Sequence, residues 1–289
     1  MITVFTPTYN RAHLLGKLYE SLCRQASRDF EWLIVDDGST DNSRELIDAY
    51  REEGVIPISY YRQENKGKHC AINYGIQFAK GELFFIVDSD DVITPDAIAI
   101  VNEYYAAIKG DERFCGVCGL KAYFSGEKVG GESDYDVLDC NSFDFRLKYH
   151  IAGDMAEVFR TQVLRNYPFP EFEGEKYCAE STVYNRMAND GYIMRYFYKK
   201  IYLCDYLPDG LSRQSVKLRV NSPRTACLHY KECIDFSVPY LYKIKSAINY
   251  WRFRPCVPEG QSVAKLSWRW CVFMPLGYAM HFKDLIDLK

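Results

Sequence analysis

The chain is 289 residues long, 48% apolar and 16% aromatic, enough to build one large packed α/β domain with an extension. Its formal net charge of −3 gives no reason to expect nucleic acid as a partner. The charge is unevenly divided, because residues 216–289 hold 12 Lys and Arg against 5 Asp and Glu, a net +7 that leaves −10 for residues 1–215.

Residues 2–6 are a short apolar run closed by Pro7 and read as a buried strand. Residues 14–23 place Leu14, Leu15, Leu18, Tyr19 and Leu22 at helical spacing. A second strand, 30–35, runs into Asp36-Asp37-Gly38, and a helix over 43–51 gathers Leu46, Ile47 and Tyr50 on one face. Strand 58–62, a helix over 71–79 stopping at Gly81, and the wholly apolar strand 83–87 complete a βα series. A strand apolar on both faces belongs at the centre of a sheet, and repeated βα units predict a parallel, doubly wound sheet with right-handed crossovers. The second half is less regular: strand 114–124, loop 125–142, helices 158–165 and 181–189, strand 196–206, a turn at Pro208-Asp209-Gly210, then a helical tail.

Ligands of open α/β sheets collect at the carboxyl ends of the strands. Here those ends carry Pro7-Thr8-Tyr9-Asn10-Arg11, Asp36-Asp37-Gly38-Ser39-Thr40-Asp41, Glu64-Asn65-Lys66-Gly67-Lys68 and Asp88-Ser89-Asp90-Asp91. Carboxylates packed as in the last cluster repel one another unless a cation neutralises them. An oxygen-only donor set completed by a phosphate suits Mg2+ or Mn2+, with Asp88 and Asp90 as the ligands. The plain alternative is a helix N-cap, for which Asp91 or Thr94 ahead of Pro95-Asp96 could serve; Thr94 is the better cap and leaves Asp88 and Asp90 unemployed.

Taken in order, Thr6-Pro7-Thr8-Tyr9-Asn10-Arg11, Val35-Asp36-Asp37-Gly38-Ser39-Thr40-Asp41, Asn65-x-Gly67 with Ala71-x-Asn73-x-Gly75, Gly81-Glu82, and Asp88-Ser89-Asp90-Asp91 with Pro95-Asp96 make the chain resemble the family 2 glycosyltransferases of the GT-A fold. The likeness is close over residues 1–100 and loose over 145–215. It implies a mostly parallel Rossmann-like sheet flanked by helices. Residues 1–124 would form the nucleotide-sugar half, 125–215 the acceptor half, and 216–289 an aromatic helical extension. It also implies a donor site in which Pro7 and Tyr9 wall the nucleobase and Asp36 or Asp37 accepts the uracil imino proton. Arg11, Lys66, Lys68, Asn73, Asp88 and Ser89 would line the rest of that site, and Asp88 and Asp90 would hold Mn2+ or Mg2+ on the diphosphate. The general base falls on Glu180, six residues before Arg186, where many relatives show Glu-Asp and this chain has Glu180-Ser181. The plain reading is that Glu180 complements a helix N-terminus. Asp154, Glu175 and Lys176 are acceptor-side candidates.

The implied function is transfer of a sugar from a UDP-sugar to a saccharide or lipid-linked hydroxyl, with inversion, in cell-surface polysaccharide synthesis. The alternative is a catalytically silent carbohydrate-binding protein of the same fold. A nucleotidylyltransferase would want a Gly-rich loop after the first strand, and a dehydrogenase a G-x-G-x-x-G; neither is present.

Eleven cysteines with no second ligand pair beside Cys115 and Cys118, and no leader-like start, read as reduced thiols in the cytoplasm. The most apolar stretch, 268–282, is interrupted by Arg269, Pro275 and Gly277 and does not span a bilayer. The tail's Trp251, Trp268 and Trp270, set beside Arg252, Arg254 and Arg269, suit either peripheral contact with an anionic membrane at the cell's inner face or packing against the core.

Overall fold

The computed structural model describes residues 1–205 and 214–288. The expected turn at Pro208–Gly210 and the end of the expected strand at Tyr206 lie outside the described residues. The chain forms two compact units, Met1–Pro168 with Arg186–Asp205, and Phe169–Asn185 with Tyr206–Lys289. This differs from a division at 124 and 215: the strands of residues 155–204 belong to the sheet of the first unit, and the segment around residue 175 belongs with the C-terminal helices.

The first unit opens with β1 (Ile2–Thr8), α1 (Ala12–Cys23), β2 (Phe30–Asp36), α2 (Ser43–Glu53), β3 (Ile58–Arg62), α3 (Lys68–Gly75) and β4 (Leu83–Ile86). It continues through β5 (Val92–Ile93), α4 (Ala97–Ala106), β6 (Phe114–Tyr123), β7 (Val137–Cys140), α5 (Ser142–Leu147), β8 (Met155–Arg160) and α6 (Thr161–Arg165). The chain passes between units within α7 (Ser181–Asn189), and β9 (Ile193–Cys204) returns to the sheet. Strand order is β3-β2-β1-β4-β8-β6-β9-β5, with β7 on β9.

β3, β2, β1 and β4 are parallel, as the βα series predicts, and the apolar β4 sits inside the sheet between β1 and β8. The second half is mixed: β8 is antiparallel to β4 and β6, and β5 and β7 are antiparallel to β9. Residues 155–160 are therefore strand where a helix was expected from 158. Val158 and Phe159 are fully buried between two strands, and the helix begins only at Thr161. Pairing also makes a strand of 137–140 inside an expected loop.

Phe5, Trp32, Phe84, Phe85, Phe145, Phe159, Phe197 and Tyr202 are the largest fully buried side chains of this unit, each phenylalanine worth about 1.5–3 kcal/mol of burial. Helix α3 packs so close to the sheet that a Cβ on Gly75 would stand 2.2 Å from the Phe5 ring. This helix starts at Lys68 rather than Ala71 because Gly67, at φ 96°, turns the chain into it.

The second unit is helical: α8 (Ser215–Asn221), α9 (Pro223–Asp235), α10 (Tyr240–Phe253), two 3-10 turns (Arg254–Cys256 and Trp268–Phe273) and α11 (Met274–Asp287). Its cores are Cys227, Tyr250 and Val257, and Ile234, Ala247 and Trp270. Among the tail aromatics, Trp270 is buried and Trp251 donates its indole N–H to the Trp270 carbonyl, so these two pack inside the unit.

Candidate active site

Parallel pairing sets the strand ends side by side, with Thr8 opposite Asp36 and Asp36 opposite Arg62. The loops beyond them are tied by side chains. Asn10, held at φ 52°, accepts from the Thr40 N–H at 2.8 Å, and its own N–H donates to Ser39 Oγ at 2.9 Å. Asp36 is buried and accepts from the Ser39 N–H at 2.7 Å and the Tyr60 hydroxyl at 2.8 Å. Asp37 is also buried: one oxygen accepts from Gln63 and the Lys66 N–H, the other from the Gly67 N–H. A carboxylate offers about four lone-pair sites, so each aspartate shapes its loop and retains capacity for a ligand donor.

The fourth strand end carries most of the charge. Val87 donates to the Phe5 carbonyl at 2.8 Å, which keeps the chain beside β1 up to the aspartates. Lys68, first residue of α3, meets Asp88 at 2.6 Å, and Arg11 meets Asp90 at 2.9 Å. Burial alone would raise the Asp88 carboxyl; the charges of Lys68, Lys121 and Arg11 hold it below the usual carboxylate range. Asp91 is more deeply buried, and burial together with the neighbouring Asp88 charge pushes it up to about 7. Ser89 is buried between them in sequence.

Tyr202 of β9 fixes this turn from beneath. Its hydroxyl donates to Asp91 at 2.6 Å and accepts from the Asp88 N–H at 3.0 Å, while Lys121 of β6 stands 4.1 Å from its ring centre. Sequence reading missed Tyr202, Lys121 and Tyr60. Nothing local marks Tyr202 among 24 tyrosines, since its role comes from strand pairing. Thr94 does not cap α4: its hydroxyl donates to Asp96, and the helix begins after Asp96 without a side-chain cap.

Among the described residues no group of three or more His, Cys, Asp or Glu comes together around one point as a metal cage. Asp88 and Asp90 supply only two hard oxygen ligands, which is the number a Mg2+ or Mn2+ ion takes from protein when a diphosphate provides others. The residues fit the ion on those terms. Tyr9 is 46% exposed at the β1 end, Pro7 and Asn73 are half-buried, and Lys66 is exposed. Thr8 Oγ1 is buried there with no hydrogen-bond partner.

The acceptor-side candidates fall on both units. Asp154 is exposed ahead of β8 in the first unit. In the second unit, Glu180 is half-buried directly before α7; its carbonyl accepts from the Val183 N–H at 3.0 Å, and its carboxylate accepts from the Tyr184 hydroxyl at 3.4 Å. Lys176 is exposed. Glu175 has other employment than facing an acceptor. It is buried, one oxygen accepting from the Arg224 N–H at 2.7 Å, the other from the Thr225 N–H at 2.8 Å and hydroxyl at 2.6 Å, so it caps the start of α9. Arg186 reaches the Pro168 carbonyl at 3.2 Å.

Residues 3–117 match the family described as glycosyl transferase family 2. The chain is 36% identical over 128 residues to the glycosyltransferase GlyG of Streptococcus pneumoniae, covering 39% of this chain and 42% of that protein. It is 25% identical over 283 residues to the GalNAc(5)-diNAcBac-PP-undecaprenol beta-1,3-glucosyltransferase of Campylobacter jejuni, covering 91% and 88%. In fold it is similar to the S. aureus TarS 1–349 structure in complex with UDP-GlcNAc, at TM-score 0.67 and 17% identity over 98% of this chain and 88% of that one. The chain thus spans less than half the length of GlyG and most of the length of the Campylobacter protein.

Proposed function

From its membership of glycosyltransferase family 2, carried by residues 3–117, we propose that this chain transfers a sugar from a UDP-sugar to a hydroxyl of a saccharide or lipid-linked acceptor, with inversion, in cell-surface polysaccharide synthesis. The observation that carries the reading is the charge arrangement at the fourth strand end, where Lys68 and Arg11 pair with Asp88 and Asp90 beside the loops of Asp36 and Asp37. Cations and carboxylates alternating at aligned strand ends suit a diphosphate and its counter-ion better than a neutral sugar.

In this reading Pro7 and Tyr9 hold the base, Asp36 or Asp37 accepts its imino proton, and Arg11, Lys66, Lys68, Asn73 and Ser89 line the donor. Asp88 and Asp90 would hold Mn2+ or Mg2+, which when bound supplies Lewis-acid compensation for the charge of the departing UDP. Tyr202 and Lys121 keep the aspartate turn in place before the donor arrives, so that little ordering is left to the binding step. Glu180 removes the acceptor proton as oxygen attacks the anomeric carbon, and Asp154 and Lys176 are candidate acceptor contacts. A lipid-linked acceptor would place the enzyme in the cytoplasm at the inner face of the membrane; among the described residues no helix is long and apolar enough to cross it.

The test is thermal. UDP should raise the melting temperature with Mn2+ or Mg2+ present by several times the shift in chelator, because only ligand bound to the folded form stabilises it. Asp90→Ala should lose the metal-dependent part, and UDP-sugar turnover should need the ion. Equal shifts with ion and with chelator would remove the metal assignment, and no response to any nucleotide or nucleotide sugar would remove the donor site.

A further inference from the structure

Helix α11 is built the wrong way round for a helix whose outer face meets only water. Its inward residues, Gly277, His281 and Asp284, recur at helical spacing, and two of the three are polar. Asp284 takes the Arg252 guanidinium at 2.5 and 2.6 Å, and Cys256 Sγ lies 3.7 Å from His281 Nδ1. The outward arc is mainly apolar, with Leu276 53% exposed, Phe282 60% and Ile286 74%, and its exposed charges are Lys283 and Asp287. In the 3-10 turn just before, Trp268 is 85% and Val272 72% exposed, while Trp270 between them is buried. Single exposed apolar residues are ordinary; a continuous set along one element marks a surface that something covers.

The charges beside these residues identify what covers it. Exposed cations adjoin the apolar anchors in sequence, Arg269 after Trp268 and Lys283 after Phe282, with Lys265 a turn earlier. Two acids of the tail are already engaged, Asp235 by Lys231 and Asp284 by Arg252. We propose that this face docks flat on an anionic lipid bilayer, with Trp268 and Phe282 entering the headgroup boundary and Arg269, Lys283 and Lys265 meeting lipid phosphates. A second copy of the chain fits less well, since a two-fold contact through this face would bring Arg269 and Lys283 toward their own counterparts, whereas lipid phosphates supply the opposite charge. A helix of 14 residues, about 21 Å long, suits an interfacial position. Of the three tryptophans that the sequence pointed to, Trp268 alone serves as an anchor: Trp251 and Trp270 pack inside, and Arg252 is neutralised by Asp284.

The docking face deepens the membrane-side reading above but does not rest on sugar transfer, so its test is separate. Full-length protein is sedimented with vesicles of phosphatidylcholine alone and with added phosphatidylglycerol, at low and high salt. Binding should be at least roughly tenfold stronger to the anionic vesicles and fall with salt. The combined variant Trp268→Ser, Phe282→Ser, Ile286→Ser should lose roughly tenfold or more while keeping the wild-type melting temperature and UDP response, and Arg269→Glu with Lys283→Glu should lose the anionic preference. Wild-type protein that ignores anionic vesicles at low salt, a triple variant that binds like wild type, or a dimer dissolved by the triple variant in the absence of vesicle binding would each overturn the proposal. A failed UDP response alongside intact vesicle binding would count against the donor site alone.

Discussion

Asp41 illustrates how much of the charge at the strand ends is spent on architecture. One of its oxygens accepts from the N–H of Ala12, first residue of α1, and the other from the N–H and hydroxyl of Ser43, first residue of α2. Burial alone would raise its carboxyl, but these bonds draw it below the ordinary range. Glu180 is the residue for which structure and chemistry make separable claims. A helix-terminus role is worth about 0.3–1 kcal/mol of stability, whereas a general base is worth roughly 10²–10⁴ in rate. Glu180→Gln keeps the shape and removes the charge. It should leave UDP-sugar affinity within a few-fold and cut turnover by about 10²-fold or more. Steady-state kinetics on the variant decides, and near wild-type turnover would move the base to another residue.

At the scale of the element, the start of α9 shows a cap supplied from a distant loop. Pro223 opens the helix and cannot donate, and the next two N–H groups are satisfied by Glu175, 49 and 50 residues away in sequence. Such caps are usually sought within a few residues, so the Glu175 carboxylate looked available for an acceptor. Glu175→Gln presents an amide to donors that need an acceptor, and should lower stability by about 1–2 kcal/mol. Urea unfolding should show an earlier midpoint with acceptor KM unchanged. The opposite pattern, a raised KM at wild-type stability, would return Glu175 to the acceptor site. β8 makes the same point for a strand. Its Glu157-Val158-Phe159-Arg160 suits a helix or a strand, and antiparallel partners on both sides decide for strand.

Over the whole molecule the cysteines behave as packing atoms. All eleven are free, eight are buried, and Cys271 is exposed. Burial pushes the Cys115 and Cys227 thiols up to about 12, which leaves too little thiolate for reaction. Native protein should therefore react rapidly with a thiol reagent at Cys271, slowly at the half-buried Cys23 and Cys256, and at all eleven only after denaturation. Titration with a chromogenic disulfide checks this, and the melting temperature should be the same with and without reductant. More than three fast-reacting native thiols would show that the interior opens readily.

The parallel half of the sheet and the loops at its strand ends follow from local sequence. There the chemistry is local: an apolar run fixes each strand, a helix follows it, and the parallel crossover brings Pro7–Arg11, Asp36–Asp41, Asn65–Lys68 and Asp88–Asp91 to one edge whatever the remaining packing. Packing between distant segments selects which of those polar groups carry the architecture. The Tyr202 support for Asp88 and Asp91 joins residues 111 or more apart, and Glu175 reaches a helix 50 residues on. It also decided which tail aromatics face outward. Trp268 and Trp270 are two residues apart and equally apolar, yet one is 85% exposed and the other 4%. A burial so different at nearly the same sequence position is set by which face of the turn meets the neighbouring helices, and composition carries no record of that.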